Sequence, residues 1–174
     1  MTNPAAAPKP KPRTRILPED PIMHAIAIAL HLLSAVIWVG GMFFAHQALR
    51  PVAATLLDPP QRLPLWLGTL GRFFVWVWLT VLLLLVTGYW MALSMFGSFA
   101  AFPLYVNLMQ GIGLLMVLLY FHVYFAPYRG LRRSVDSKDW PAAAAQLARI
   151  RRIVGINLLL GLTVISVAAA GRYL

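Results

Sequence analysis

Residues 73–128 read FFVWVWLTVLLLLVTGYWMALSMFGSFAAFPLYVNLMQGIGLLMVLLYFHVYFAPY and contain no Asp, Glu, Lys or Arg. The stretch is 56 residues long, enough for two membrane crossings of about 20 residues each. Two further charge-free runs flank it, at 21–49 and 153–171. We therefore predict an all-α fold, an integral membrane four-helix bundle in which residues 21–174 form one transmembrane domain. The expected spans are about 21–49, 65–96, 103–126 and 148–173.

The composition agrees with a membrane protein. Hydrophobic residues make up 60% of the chain and charged residues 11%, whereas a soluble domain carries roughly 25% charge. The absence of cysteine excludes disulfides, thiolate metal sites, iron–sulfur clusters and c-type haem. The net charge of +10 comes from basic residues in tails and loops, so nucleic-acid binding is not expected. The basic, proline-rich residues 1–20 predict a disordered tail.

The distribution of basic residues predicts the orientation. Four crossings place both termini and the connection at 97–102 on one side of the membrane. That side holds five basic residues, and the side of the first and third connections holds ten. The positive-inside rule then predicts a multi-pass protein of the bacterial inner membrane with both termini in the periplasm.

The histidines are the main candidates for a site, and they are His24, His31, His46 and His122. At about 100° per residue the first three fall on one stripe of the first helix, while His122 lies near the end of the third. Two histidines from facing helices can be the axial ligands of a haem. We therefore predict a haem b-binding redox protein in which His122 pairs with His31 or His46. Arg50 and Arg72 lie on the side of His46 and His122 and are expected to bind the haem propionates.

Two other hypotheses remain open. Imidazole and thioether groups together favour Cu(I), and His24, His31, Met91 and Met95, with Met23 and Met109, lie toward the outer side, which predicts a copper-handling protein. Short loops also suit a non-catalytic accessory or assembly subunit of a respiratory membrane complex. All five acidic residues lie outside the spans, which argues against an ion-coupled transporter. No catalytic residue is identified; the expected partners are the bilayer, a quinone or porphyrin, and a second copy or larger complex.

One motif carries a family resemblance. The run from His31 to Phe44, HLLSAVIWVGGMFF, places Trp38 seven residues after the histidine and two glycines soon after it. With Arg50-Pro51 at the helix exit, it resembles the first-helix signature of the copper-resistance D family of membrane proteins.

The same pattern is similar to the HemJ-type protoporphyrinogen oxidases, which are haem b membrane proteins of four or five helices. In those proteins a second histidine lies late in the third helix, where this chain has His122 within LLYFHVYF. The resemblance implies the fold and a haem site. The HemJ-type proteins also carry a lysine early in the third helix, and residues 105–111 (YVNLMQG) contain none. Protoporphyrinogen oxidation is therefore not expected.

Overall fold

The computed structural model describes residues 21–171 of the chain. Four long helices make up this part: α1 (Pro21–Leu56), α2 (Pro59–Phe96), α3 (Leu104–Asp136) and α4 (Trp140–Ala170). A short 3-10 turn at Phe99–Ala101 lies between α2 and α3. Each long helix is apolar and long enough to cross a membrane, and residues 21–171 contain no strand. The prediction of an all-α, four-helix membrane protein is confirmed, while the tail predicted at 1–20 lies outside the described residues.

The helices α1 and α3 continue beyond their predicted ends. The sequence predicts that the first helix stops before Pro51 and that the third ends near residue 126. Both helices instead pass through a π-helical turn, at Phe44–Leu49 and at Tyr124–Tyr128. A π turn pairs residues five apart and is wider than an α turn. Because it relieves the clash and the lost hydrogen bond that a proline causes in a regular helix, Pro51 and Pro127 are tolerated.

The starts of α2 and α4 are set by local hydrogen bonding. The α2 helix begins at Pro59 and not near residue 65, because prolines fit the first turn, where backbone N–H groups have no helical partner. The carbonyl of Asp58 accepts the N–H of Arg62 at 2.8 Å. At the start of α4, the Asp139 carboxylate accepts the N–H of Ala142 at 3.0 Å, so this helix begins at Trp140, ahead of the span predicted at about 148–173.

The distance between neighbouring helices differs from pair to pair. The α1 backbone packs along α2 and the α3 backbone along α4, whereas the first part of α3, residues 104–123, rarely approaches α2 closely. We call the end where α1 and α3 finish the basic end and the end where they begin the cavity end. Toward the basic end, aromatic rings fill the space between α2 and α3: Tyr120 lies 5.6 Å from Phe74 and 5.4 Å from Trp78, measured between ring centroids. Toward the cavity end the aromatic rings of Phe96, Phe99 and Phe102 cluster at the connection between α2 and α3.

The outer faces of the helices are apolar. Many large hydrophobic side chains are exposed along all four helices, including Leu32, Trp76, Leu118 and Leu159. In water such a surface would aggregate, whereas in lipid it is the ordinary surface of a spanning bundle. The protein is therefore a multi-pass membrane protein in contact with the bilayer.

Candidate functional site

A cavity of about 340 Å³ lies between the four helices at the cavity end. Its wall is mostly apolar, with His24 and His31 contributed by α1. Four methionines, Met91 and Met95 from α2 and Met109 and Met116 from α3, line the same space. The structure therefore brings together imidazole and thioether groups that the sequence suggested as copper donors. The sequence spacing of these residues did not predict the cavity itself, because the cavity arises from the separation of α2 and α3.

His31 is oriented by a hydrogen bond to α2. Its Nδ1 lies 2.9 Å from Thr87 Oγ1, and the Thr87 hydroxyl donates to the carbonyl of Leu83. Since that hydroxyl has one proton, it accepts from His31, so Nδ1 carries the ring proton. A neutral imidazole has a single N–H, so this assignment leaves Nε2 with a free lone pair.

A glycine makes room for this ring. A Cβ atom placed on Gly88 would lie 3.0 Å from His31 Cε1, which is tighter than an ordinary contact. Together with Thr87, the preceding residue of α2, Gly88 fixes the position of the imidazole. Sequence reasoning missed both residues, although a threonine and a glycine in adjacent positions of an apolar span were a usable signal.

His24 lies nearer the end of the bundle. Its side chain is 8% exposed, and its ring centroid lies 5.5 Å from that of Trp90. Within residues 21–171, its buried Nδ1 has no hydrogen-bond partner, and such a group is costly unless something binds it. The two cavity histidines are two helical turns apart, about 10 Å along α1. They are therefore successive donors along the cavity and not a chelating pair.

The other two histidines lie away from this cavity. His46 belongs to the π turn of α1, and its Nε2 is 3.2 Å from where a Cβ on Gly155 would be, so it packs against α4. His122 is exposed on α3. The predicted stripe of three histidines is therefore interrupted, because the π turn changes the angular spacing beyond Phe43. The structure does not bring His122 to the cavity that His31 lines.

The two arginines predicted to bind an anion are exposed. Arg50 is one helical turn beyond His46 on α1, at the basic end, and Arg72 lies in the basic half of α2. The residue before it, Gly71, packs against the Tyr128 hydroxyl, which would lie 2.7 Å from a Cβ at that position. Both guanidinium groups are thus remote from the cavity histidines.

The donor set of the cavity decides which metals suit it. In the described part of the chain, no group of three or more histidine, aspartate or glutamate side chains is placed to hold a metal ion. The nitrogen and sulfur ligands that the cavity wall offers an ion are imidazole and thioether groups. That combination is soft and uncharged, which favours Cu(I) over zinc, magnesium or calcium.

Comparison with protein families gives one match. The family model described as copper resistance protein D matches residues 67–170, which is more than half of the chain and covers most of α2 with all of α3 and α4. The signature quoted from residues 31–51 lies before this match, and the similarity to HemJ-type oxidases stays a prediction. Comparisons with curated proteins and with solved structures find no match. From its four apolar helices and this family match, the chain belongs to the copper resistance protein D family of multi-pass membrane proteins.

Proposed function

We propose that this protein handles copper in the membrane, with Cu(I) as the cargo that enters the cavity lined by His24, His31 and methionines. The observation that carries the proposal is the free Nε2 of His31 in a methionine-lined cavity, assigned from the hydrogen bond to Thr87. Membership of the copper resistance protein D family supports it. The bacterial inner membrane is the expected location.

The chemistry of the cavity suits a monovalent, soft ion. Imidazole and thioether ligands add no charge, so a bound Cu(I) leaves a net single charge in an apolar surrounding, whereas a divalent ion would leave two. The unpartnered Nδ1 of His24 lies nearer the end of the bundle and Nε2 of His31 lies deeper. In this proposal His24 receives the ion and His31, with neighbouring thioethers, holds it further inside.

Anaerobic Cu(I) titration of the detergent-purified protein against a chromophoric chelator tests this proposal. Wild-type protein is expected to compete for the ion, and His31→Ala is expected to lower its affinity at least about tenfold. Met91→Leu with Met109→Leu should weaken binding without changing the size of the side chains much. His122→Ala is the matched control, since that histidine is exposed on α3. A wild-type protein that leaves all Cu(I) on the chelator, or an equal loss in the control, would refute the proposal.

Haem b is the second candidate occupant, because His31 lines an apolar space. His31 would be the axial ligand supplied by the cavity, and the bound group would supply one-electron redox chemistry. A visible spectrum of protein from haem-replete cells, before and after dithionite, tests it. A Soret band that is lost in His31→Ala and kept in His122→Ala would support haem. A featureless spectrum would remove this candidate.

A further inference from the structure

Two arginines at the basic end differ from the others in burial. Arg62 on α2 and Arg151 on α4 are partly buried, whereas the remaining arginines among residues 21–171 are exposed. One exposed arginine, Arg129, lies over the Phe125 ring at 4.8 Å, an arrangement that stabilises its charge. Partial burial of a guanidinium group costs free energy unless a partner offsets it. We therefore expect a partner near Arg62 and Arg151.

The packing of His46 places a third arginine beside these two. His46 on α1 contacts α4 at Gly155, and these two helices run in opposite directions. Arg50 follows His46 by one turn, and Arg151 precedes Gly155 by one turn, so both arginines lie at about the same level on neighbouring helices. Arg62 reaches the end of α1, where its guanidinium donates to the carbonyl of Ala54 at 3.5 Å.

The electrostatic surroundings of this cluster are positive. Arg151 is partly buried, and the charges of Arg50 and Arg62 act on it. The described carboxylates, Asp58, Asp136 and Asp139, are all exposed. Three like charges from three helices repel one another, and the single carbonyl of Ala54 offsets little of this repulsion. An anion between the helix ends would remove it.

We propose that Arg50, Arg62 and Arg151, together with His46, form a binding site for the phosphate of an anionic phospholipid headgroup. The site lies at one end of a transmembrane bundle, where headgroups are at hand and basic pockets between spanning helices commonly bind them. Guanidinium groups match phosphate oxygens in geometry and charge. The apolar surface of α1 next to the site, with Phe43 and Phe44 exposed at 52% and 61%, is suited to the acyl chains.

Native mass spectrometry of the purified protein tests the site. Phosphatidylglycerol and phosphatidylcholine with identical acyl chains are added separately, and retained lipid is counted. The wild-type protein is expected to prefer phosphatidylglycerol, and each arginine removed, in Arg151→Gln and then in Arg50→Gln/Arg151→Gln, should weaken its binding about fivefold. Arg152→Gln is the matched control, because it removes the same charge from an exposed neighbour. Arg151→Lys keeps the charge and should retain most of the preference.

Several outcomes would overturn the proposal. Equal retention of both lipids by the wild-type protein would exclude a site selective for anionic lipid. An equal loss of phosphatidylglycerol binding in Arg152→Gln and Arg151→Gln would show that general surface charge, and not a site, attracts the lipid. Inorganic phosphate that binds the wild-type protein while phosphatidylglycerol does not would assign the site to a free phosphate. A melting temperature recorded for each variant separates lipid loss from unfolding.

Discussion

The bond between His31 and Thr87 joins two helices and sets the tautomer of the histidine. We expect Thr87→Val, which keeps the shape but removes the hydroxyl, to free the imidazole to exchange tautomers and rotate. A partner that orients a ligating histidine typically contributes roughly 10- to 100-fold to metal affinity. Cu(I) affinity should therefore fall within that range, measured by chelator competition, while the helix content remains unchanged.

Thr80 supplies the control for this substitution. It is buried on the same helix, and its hydroxyl donates to the carbonyl of Val77 at 3.0 Å, within α2 itself. Thr80→Val should leave Cu(I) affinity as in the wild-type protein. If both valine variants lose copper equally, the hydroxyl of Thr87 has no special role in orienting His31, and loss of a buried threonine explains the result.

The sequence identified the residue types of the candidate site but not all of its geometry. His24, His31, Met91 and Met95 were grouped from their position in the spans, and they do line one cavity. The pairing of His122 with a first-helix histidine was predicted from its depth along the third helix and from the resemblance to HemJ-type proteins. Depth does not determine which face of a helix carries a side chain, and His122 lies on the exposed face of α3. Which face of a helix points into the bundle is decided by packing against neighbouring helices. A single sequence does not contain that information.

The number of helices was predicted better than the length of each helix. Charge-free runs reveal the apolar crossing segments, because burying a charge in lipid is costly. They do not reveal helix that continues into the polar region, as α3 does through Asp136. The first and third helices were predicted to end near residues 49 and 126, and the π turns that accommodate the following Pro51 and Pro127 have no simple sequence signature.

Glycines in the helices also differ in role. Glycines in spanning helices are generally expected to permit close helix approach, yet a Cβ on either Gly111 or Gly113 would meet nothing within 4 Å. For these two the expectation is wrong. A Cβ on Gly161 would lie 2.8 Å from Val39 Cγ2. The approach of α4 to α1 thus depends on this glycine.

Gly161→Ala is therefore expected to destabilise the bundle. Val39 is β-branched and has little freedom to move aside, so the added methyl should cost about 1–3 kcal/mol. Thermal unfolding in detergent measures the change. Gly113→Ala, with open space around it, should instead be neutral or stabilising by roughly 0.5–1 kcal/mol. Equal effects of the two substitutions would show that helix propensity, and not contact between α1 and α4, controls stability at Gly161.

Across the whole molecule, the spacing of α2 and α3 produces two unlike ends. Aromatic rings such as Trp78 and Tyr120 fill the gap in the basic half, and the cavity with its histidines occupies the other. The sequence predicted four crossings because hydropathy is a local property. It did not predict the gap, because the distance between two helices depends on side chains of all four. The candidate copper site and the lipid site therefore lie at opposite ends of the bundle.

This separation makes the orientation in the membrane decisive for both proposals. The positive-inside rule predicts that the cavity end faces the periplasm and the basic end the cytoplasm. The chain contains no cysteine, so single introduced cysteines can be labelled without background. Ser98, between α2 and α3, and Ser137, between α3 and α4, are both exposed. In intact cells a membrane-impermeant maleimide is expected to label Ser98→Cys, and to label Ser137→Cys only after permeabilisation.

The reverse pattern would place the cavity histidines toward the cytoplasm. Copper would then reach His24 from inside the cell, and the cluster of Arg50, Arg62 and Arg151 would contact the headgroups of the outer leaflet. The cysteine-free wild-type protein controls for nonspecific labelling, and labelling of both variants in permeabilised cells shows that each site is accessible. Because His24 lies between the deeper His31 and the end of the bundle, the side on which Ser98→Cys is labelled is the side from which copper reaches the cavity.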